Sequence, residues 1–405
     1  MSRRTPAGGL AVAVSAVATT VTTVFPVYLV SVLVVQIGAD MPFGPADLGA
    51  LVAGFFGCSA VAAFVSGQVA SSAGSTRLVR ASAVLSSACL LAVGLLAQDP
   101  VDITVALLVA GVSNGIGQPA SNGLIATVVP SGRQGVAYGA KQAAIPLSTL
   151  LGGLAVPLLA LPFGWRTVFL VAAGLGLLTA ACTPARGRTS QGGTATDSPA
   201  AGPLRLPALL VLSTGLLLAA GTGNALGTFF VASAVAAGEQ AGTAGLLAAV
   251  AGGTGAVTRV LLGLLADRYQ ARWLLVIAVL IAFGGTGHAL LATGDPSLLP
   301  VAVVIAYCSG WTWAGVATYA VVRMHPSAAS RATGVTQSGM ALGAALGPLA
   351  FGLVVRHWSY DAAWASTAAC SVLAGASILV GRSMLLRDRP ALATTPRGRR
   401  VSETG

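Results

Sequence analysis

Long apolar stretches alternate with short polar breaks along almost the whole chain. Each stretch holds about 20 or more mostly apolar residues, the length that an α-helix needs to cross the hydrocarbon core of a bilayer. The breaks contain turn residues and charges, as in "GADMPFGPAD" and "TGDPS". The pattern predicts twelve transmembrane helices, spans 1 to 12: residues 10–36, 47–72, 77–97, 102–129, 134–161, 165–183, 207–235, 241–265, 272–293, 297–322, 332–356 and 360–384.

The longest polar break divides these spans into two sets of six and is rich in Gly, Thr and Pro. We therefore expect an all-α membrane protein with four parts. Residues 1–183 form an N-terminal six-helix bundle, 184–206 a cytoplasmic linker and 207–384 a C-terminal six-helix bundle. Residues 385–405 are a basic cytoplasmic tail, which we expect to be disordered.

The composition agrees with a lipid environment. The chain of 405 residues is 55% hydrophobic and only 8% charged, and its mean hydropathy is +0.84. Soluble domains carry about 25% charged residues, so this chain could not cover a water-exposed surface. One lysine against 21 arginines, in an Ala- and Gly-rich chain, is typical of a GC-rich bacterial genome. We therefore expect a bacterial inner (cytoplasmic) membrane.

The positions of the charges predict the orientation. With both termini in the cytoplasm, most cations fall on the cytoplasmic side, as the positive-inside rule requires. Among them are Arg3, Arg4, Arg77, Arg80, Arg133, Arg186, Arg188, Arg268, Arg272, Arg323 and Arg331. The outer loops hold Asp40, Asp47, Asp99, Asp102, Glu239, Asp295 and Asp361. The net charge of +11 is explained by this asymmetry, and no nucleic-acid partner is needed.

The two halves repeat at an offset of 195 to 196 residues. The landmarks recur in the same order: Gly67 with Gly263, Pro130 with Pro326, Gly139 with Gly334, Gln142 with Gln337, and Gly152 with Gly347. Transporters are commonly built from such repeats, with the substrate site where the repeats meet.

The segment "GLLADRYQAR", between spans 8 and 9, resembles the signature loop G-x-L-A-D-R-x-G-R of the major facilitator superfamily. The matching residues are Gly263, Asp267, Arg268 and Arg272. In the first half Gly67 and Arg77 match, but Ser71 and Ser72 replace the Asp-Arg pair. The resemblance implies a secondary transporter that works by alternating access, with two pseudo-symmetric six-helix bundles, usually as a monomer.

Asp267 is the candidate gating residue of this loop. A carboxylate at the end of span 8 can face the N-terminus of span 5, where unpaired N–H groups and the helix dipole favour negative charge. Arg133 lies nearby on this prediction. The contact would hold the cytoplasmic side shut, and the first half would have lost its counterpart. The alternative is a loop that only anchors the topology.

In the resembled fold, spans 1, 4, 7 and 10 line the central cavity. Polar and aromatic residues follow these spans at helical spacing, and the candidates for substrate binding are Asn114, Gln118, Asn122, Asn224, Trp311, Trp313 and Tyr319. Packing between helices is the alternative role for the tryptophans, and for the Ser and Thr residues of span 1.

Two cations lie inside spans. Lys141 comes eight residues after Arg133, and Arg259 eight residues before Asp267, so each is about 12 Å from its helix end. A charge at the centre of a span costs at least about 2.5 kcal/mol on insertion scales and marks a functional site by default. With no acid in a span centre, an anionic substrate would neutralise the pair, and Gln142 and Gln337 would add donors. Alternatively, Arg259 pairs with helix carbonyls or Asp267, and Lys141 reaches towards the cytoplasm.

The predicted function is transport of a small organic anion, carboxylate-like, bound between spans 5 and 8. The alternative is export of a neutral or amphipathic metabolite or drug. A proton is a candidate coupling ion. "GVSNG" matches the serine-hydrolase pattern but lies inside a span rather than at a strand-to-helix turn, so we expect no enzyme. The sequence has no phosphate loop and no metal-spaced cluster, and predicts no cofactor and no metal.

Overall fold

The computed structural model describes residues 6–129, 134–183, 205–269, 272–325 and 329–387. Within these ranges it is all helical, and twelve helices are long and apolar enough to cross a membrane, which confirms the twelve predicted spans. Almost all of the predicted linker and tail, the break at 130–133 and Arg133 lie outside the described residues, so the predictions for them remain predictions.

We label the twelve helices α1 to α12 in chain order. The first six are α1 (Pro6–Val32), α2 (Pro45–Ala73), α3 (Ser75–Leu96), α4 (Pro100–Val128), α5 (Gln134–Ala155) and α6 (Trp165–Cys182). The last six are α7 (Leu206–Ala236), α8 (Ala241–Arg268), α9 (Trp273–Leu291), α10 (Leu299–Ile305, continued by Ala314–Met324), α11 (Ala329–His357) and α12 (Tyr360–Arg387). A short helix, Val34–Asp40, follows α1, and a π-helical turn, Val156–Ala160, extends α5.

Span 10, residues 297–322, was predicted as one continuous helix, but the corresponding helix α10 is interrupted. A π-helical turn, Ala306–Gly310, is followed by a break at residues 311–313. Side chains bond the carbonyls at the break: the Trp313 indole N–H donates to the Gly310 carbonyl (2.9 Å) and the Thr312 hydroxyl to that of Cys308 (2.8 Å). These bonds replace part of the missing helical ladder, so the break is tolerable inside a membrane span.

The charged residues gather at opposite ends of the helices. We call one the acidic end, where Asp99 and Asp102 form a capping box at the start of α4. We call the other the basic end, where α8 finishes at Arg268 and α9 starts after Arg272. Which compartment each end faces stays a prediction from the charge asymmetry.

The two halves meet along three helix pairs: α1 with α7, α5 with α8, and α2 with α11. Because α5 corresponds to α11 and α2 to α8 in the repeat, the last two pairs are related by the pseudo-two-fold axis. We call them the α5–α8 seam and the α2–α11 seam. Glycines bring the backbones together, as is usual between membrane helices: Gly153 on α5 faces Gly245 on α8, and Gly49 on α2 faces Pro348 on α11.

The two seams differ at the basic end. In the α5–α8 seam, the Val136 N–H of α5 donates to the Asp267 carboxylate of α8 (3.0 Å), so the helices stay in contact. In the α2–α11 seam, Gly49 and Pro348 are buried at the acidic-end contact, but the positions about three and four turns further along are exposed. Ala60 and Phe64 on α2, and Gln337 and Gly334 on α11, are exposed. The α2–α11 seam therefore opens towards the basic end.

Candidate functional site

A polar network on α4 lies at the centre of the first half. Asn114 is buried; its amide donates to the Ser59 hydroxyl (2.8 Å), and its carbonyl oxygen accepts from the Thr23 hydroxyl (3.3 Å) and the Gln118 amide (3.2 Å). The network joins α1, α2 and α4. The predicted polar stripe of span 4 is therefore present as a connected set of amides.

Lys141 extends this network from α5. Its side chain is only 2% exposed, and its ammonium donates to the backbone carbonyl of Gln118 (3.0 Å) and to the side-chain oxygen of Asn122 (2.6 Å). Both acceptors are neutral. The ammonium is therefore solvated by oxygen atoms of α4, and Asn122, one of its two acceptor residues, is exposed.

Arg259 projects from α8 towards α10 and α5, and is 4% exposed. Its Nε and Nη2 donate to the Trp311 carbonyl (3.2 and 2.5 Å), and Nη1 makes a short hydrogen bond to the Gln142 carbonyl. The guanidinium also lies over the Trp311 ring, 5.5 Å from its centroid. Carbonyl pairing, one of the two interpretations of this residue, is thus present in the structure.

Both carbonyls that hold Arg259 sit at irregularities of their helices. The Gln142 carbonyl would bond the N–H of residue 146 in a regular helix, but Pro146 has none. The Trp311 carbonyl lies in the break of α10. Each irregularity leaves an acceptor that a side chain can use, which explains why a guanidinium is stable here without a carboxylate.

The two cations lie at matched depth but point in different directions. A Cβ on Gly139 of α5 would lie 3.2 Å from the backbone carbonyl oxygen of Arg259 on α8, so the helices touch two residues from Lys141. The Lys141 side chain turns to α4, whereas that of Arg259 turns to α10. The two cations therefore share no hydrogen-bond acceptor among the described contacts.

Trp311 packs in a slot on α7. A Cβ on Gly227 would lie 2.6 Å from the far edge of the indole, and one on Gly223 would overlap its near edge. Tyr28 of α1 and Tyr307 of α10 meet the ring edge-on, with centroids 5.8 and 5.3 Å away. This aromatic layer joins α1 of the first half to α10 of the second half beside Arg259.

Tyr28 and Asn224 connect the halves directly. The Tyr28 hydroxyl donates to the Asn224 side-chain oxygen (3.1 Å). The two residues are 196 positions apart, the offset of the repeat, so they are equivalent residues on α1 and α7 that meet at the pseudo-two-fold axis. Asn224 was selected from the sequence and Tyr28 was missed, although subtracting the offset from position 224 would have found it.

Two further residues that sequence analysis missed are Tyr307 and Thr149. Their hydroxyl oxygens are buried, and neither has a hydrogen-bond partner within the described chain. They lie near each other, on α10 and α5, without the geometry of a hydrogen bond. A buried hydroxyl without a partner costs about 1–3 kcal/mol, and such groups beside a guanidinium are suited to a polar ligand.

The remaining predicted residues lie elsewhere. Trp313 is in the core of the second half. Tyr319 accepts from Arg323 (2.8 Å), close to the basic end. Gln337 donates to Thr318 (3.1 Å) at the open part of the α2–α11 seam, and the half-buried Gln142 side chain packs near Gly315.

The signature loop makes the contact that its sequence suggested. The carboxylate of Asp267 accepts from Val136 in the first turn of α5. Gly263 lies against Gly139 of α5, Arg272 precedes α9, and Arg268 and Arg77 are exposed. Gly67 lies in α2. The contact is present while the α2–α11 seam is open at the same end, so it does not by itself hold that end shut, and a gating role for Asp267 stays a prediction.

The chain matches the family model of the Major Facilitator Superfamily over residues 10–235 and 212–403. Its fold is similar to that of a bacterial homologue of the human lysosomal transporter Spinster in two crystal structures. The inward-facing, occupied one has a TM-score of 0.72 and 17% identity, covering 96% of this chain and 99% of the other. The inward-facing, unoccupied one has a TM-score of 0.69 and 19% identity, covering 95% and 99%.

No curated protein matches the chain. The structural likeness shows the fold, and the family model, which spans nearly the whole chain, shows the family. This chain therefore belongs to the major facilitator superfamily: it is a multi-pass membrane protein and a secondary transporter, not an enzyme.

Proposed function

We propose that the protein carries a small organic anion, with a carboxylate or similar oxyanion bound at Arg259 and Lys141. The observation that carries the proposal is that both cations are almost fully buried in spans and bonded to neutral oxygens. Every acidic residue that the structure describes lies at a helix end or in a connection. An anion would bring the missing negative charge.

The chemistry of the two side chains favours a carboxylate. A guanidinium presents N–H groups in a planar fork that binds two oxygens at once, whereas the ammonium acts as a point charge. Backbone carbonyls are weaker acceptors than a charged carboxylate, so cargo can replace them. The unpartnered hydroxyls of Tyr307 and Thr149 are suited to further polar groups of the same ligand.

The open α2–α11 seam supports access from the basic end. If that end is cytoplasmic, as the arginines predict, the structure corresponds to a state open to the cytoplasm. Alternating access would then require the α2–α11 seam to close at the basic end and both seams to open at the acidic end. Uptake into proteoliposomes with and without an imposed pH gradient measures whether a proton is the coupling ion.

A neutral or amphipathic cargo is the second candidate. Its support is the aromatic layer of Tyr28, Trp311 and Tyr307, together with the neutral acceptors that already satisfy part of each cation's bonding capacity. In this case Arg259 would be a structural bond between helices, and substrate binding would depend on rings and amides.

Uptake by purified protein in proteoliposomes separates the two. The test uses radiolabelled benzoate, succinate, lactate and hexanoate beside a neutral amide and a cationic dye, with and without an imposed pH gradient. Lys141→Met and Arg259→Met remove the charges and keep much of the bulk. Arg80→Met is the matched control, because Arg80 also bonds a backbone carbonyl, that of Thr183 (3.1 Å), but at the basic end.

We expect at least one carboxylate to be carried, and each buried-cation variant to bind it roughly 10- to 100-fold more weakly, since a hydrogen bond to a charged group contributes about 1.5–3 kcal/mol. Arg80→Met should keep wild-type uptake. Carboxylate uptake that is normal in both variants would overturn the anion proposal, and selective transport of the dye or amide would support the second candidate.

A further inference from the structure

Three of the four prolines inside the described helices, Pro26, Pro119 and Pro146, create a local problem that is solved in the same way; the fourth is Pro348 of α11. A proline at position i removes the N–H that would bond the carbonyl at i−4, and an unsatisfied carbonyl in a membrane span is costly. The carbonyls concerned are those of Thr22, Gly115 and Gln142, four residues before Pro26, Pro119 and Pro146. Each of the three carbonyls accepts from a side chain on another helix.

Two of the three bonds stay inside the first half. The Ser86 hydroxyl of α3 donates to the Thr22 carbonyl of α1 (2.7 Å), and the Ser66 hydroxyl of α2 donates to the Gly115 carbonyl of α4 (3.1 Å). A serine is a neutral donor, and these helices belong to one bundle. These two bonds satisfy the carbonyls that the prolines leave without a donor, and a structural role is enough to explain them.

The third bond differs in donor and in place. The donor to Gln142 is the guanidinium of Arg259, and it crosses from α8 in the second half to α5 in the first. The same guanidinium holds the Trp311 carbonyl in the break of α10. Arg259 thus joins the proline site of one half to the helix break of the other.

We propose that the Gln142 carbonyl, freed by Pro146, is an internal surrogate for cargo: it occupies the guanidinium of Arg259 until an oxyanion replaces it. The inference rests on the proposed function and adds a specificity mechanism to it. A neutral carbonyl or amide is no stronger an acceptor than the carbonyl it must displace, whereas a carboxylate is, because bonds to ionised acceptors are about twice as strong. The surrogate therefore selects for anions. Its release also removes the bond between Arg259 of α8 and the backbone of α5.

The test supplies Gln142 with a competing donor and leaves every charge in place. Pro146→Ala restores the N–H at position 146, which can bond the Gln142 carbonyl within α5. Pro26→Ala is the matched control, since it makes the same change in α1, where the freed carbonyl is held by Ser86 within one half. Binding of benzoate, or of the panel carboxylate that binds most tightly, and of its primary amide is measured by calorimetry on each detergent-purified full chain.

We expect Pro146→Ala to bind the carboxylate about two- to tenfold more tightly than wild type, the equivalent of one neutral hydrogen bond of about 0.5–1.5 kcal/mol. Pro26→Ala should match wild type. Unchanged carboxylate affinity in Pro146→Ala, or an equal change in Pro26→Ala, would overturn the surrogate mechanism.

A second measurement uses the wild-type chain, in case Pro146→Ala fails to fold. In protein labelled with ¹⁵N-arginine, the resonance of Arg259 Nη1, the nitrogen that donates to Gln142, is identified by its loss in Arg259→Lys. We expect it to move on addition of the carboxylate and to stay in place with the amide. A carboxylate that binds without moving this resonance contradicts the proposal.

The two proposals fail separately. If no carboxylate binds wild type, the anion function is wrong. The internal bond is then judged in cargo-free protein, where the Arg259 resonance should differ between wild type and Pro146→Ala but not between wild type and Pro26→Ala. If carboxylates bind and neither variant nor resonance responds, the anion function stands and the surrogate does not.

Discussion

The α5–α8 and α2–α11 seams occupy equivalent positions in the repeat, yet they are built differently. The α5–α8 seam has glycine-mediated contact near its acidic end, the Arg259 bond near its middle and the Asp267 contact at the basic end. The α2–α11 seam is closed by Gly49 and Gly352 at the acidic end and is open at the basic end. A duplicated architecture can divide its work, and we infer that the α5–α8 seam, which is in contact at both ends, is the hinge seam and that the α2–α11 seam is the entrance seam.

The sequences of the two seams differ by one acidic residue at the basic end. Asp267 in the second half corresponds to Ser71 in the first, at the offset of 196. A carboxylate at the start of a facing helix is stabilised by the unpaired N–H groups and the dipole, whereas a serine gains much less. The seam that has the carboxylate is in contact at the basic end, and the seam that has serine at the equivalent position is open there.

The largest effect is expected when a bulky side chain replaces a glycine at the close contact between α5 and α8. In Gly252→Val the new Cβ would lie 2.7 Å from the Leu150 nitrogen on α5, and overpacking of this kind costs about 1–3 kcal/mol. We expect a lower thermal unfolding temperature in detergent and loss of transport. Gly57→Val is the control, because no atom lies within 4 Å of its Cβ position. An equal loss of thermal stability and transport in both variants would mean that the contact between α5 and α8 is no more important than the position of Gly57.

A smaller effect is expected when the Asp267 contact is weakened. Asp267→Asn replaces a charge-assisted bond to Val136 by a neutral one, a loss of about 1–2 kcal/mol, which shifts a two-state balance roughly 5- to 30-fold. Distances between spin labels at the basic ends of α5 and α8 should then show a larger separated population. An unchanged distance distribution and transport rate would leave the loop as a topology anchor.

Installing the missing charge should have a still smaller effect. Ser71→Asp places a carboxylate at the position equivalent to Asp267, and by the repeat it would face the start of α11. A helix-dipole interaction contributes about 0.3–1 kcal/mol, a shift of roughly two- to fivefold. We expect labels on the basic ends of α2 and α11 to move together, with slower transport. Ser71→Asn controls for side-chain size, and no closure with Asp would show that the charge alone does not close the entrance.

The least perturbing test maps exposure. In a background without the five native cysteines, Ala60→Cys on the entrance seam should react quickly with a water-soluble thiol reagent. Ala143→Cys, a buried position on the α5 face of the hinge seam, should react slowly. Transport should be close to normal in both variants. Similar reaction rates at the two positions would contradict the difference between the seams.

Most of the architecture was predictable from the sequence, because hydrophobic length and turn residues suffice to locate spans in a bilayer. The repeat offset located corresponding residues, and it pairs Tyr28 with Asn224 although only Asn224 was selected. The contact between Asp267 and α5 was also expected. The break in α10 was not, because its bonds, such as Trp313 to Gly310, occur in a stretch with the same apolar composition as a continuous helix.

The sequence by itself determined the number of spans, the duplication, the distribution of charge and the presence of two cations inside the membrane. These follow from composition and spacing along one chain. Only the tertiary structure decided which oxygens bond Lys141 and Arg259, and which seam is open. It also decided that a residue of the second half bonds the carbonyl that Pro146 leaves free in the first half. Those features depend on the rotation and approach of neighbouring helices, and helices that are apolar on nearly every side leave little trace of their rotation in the sequence.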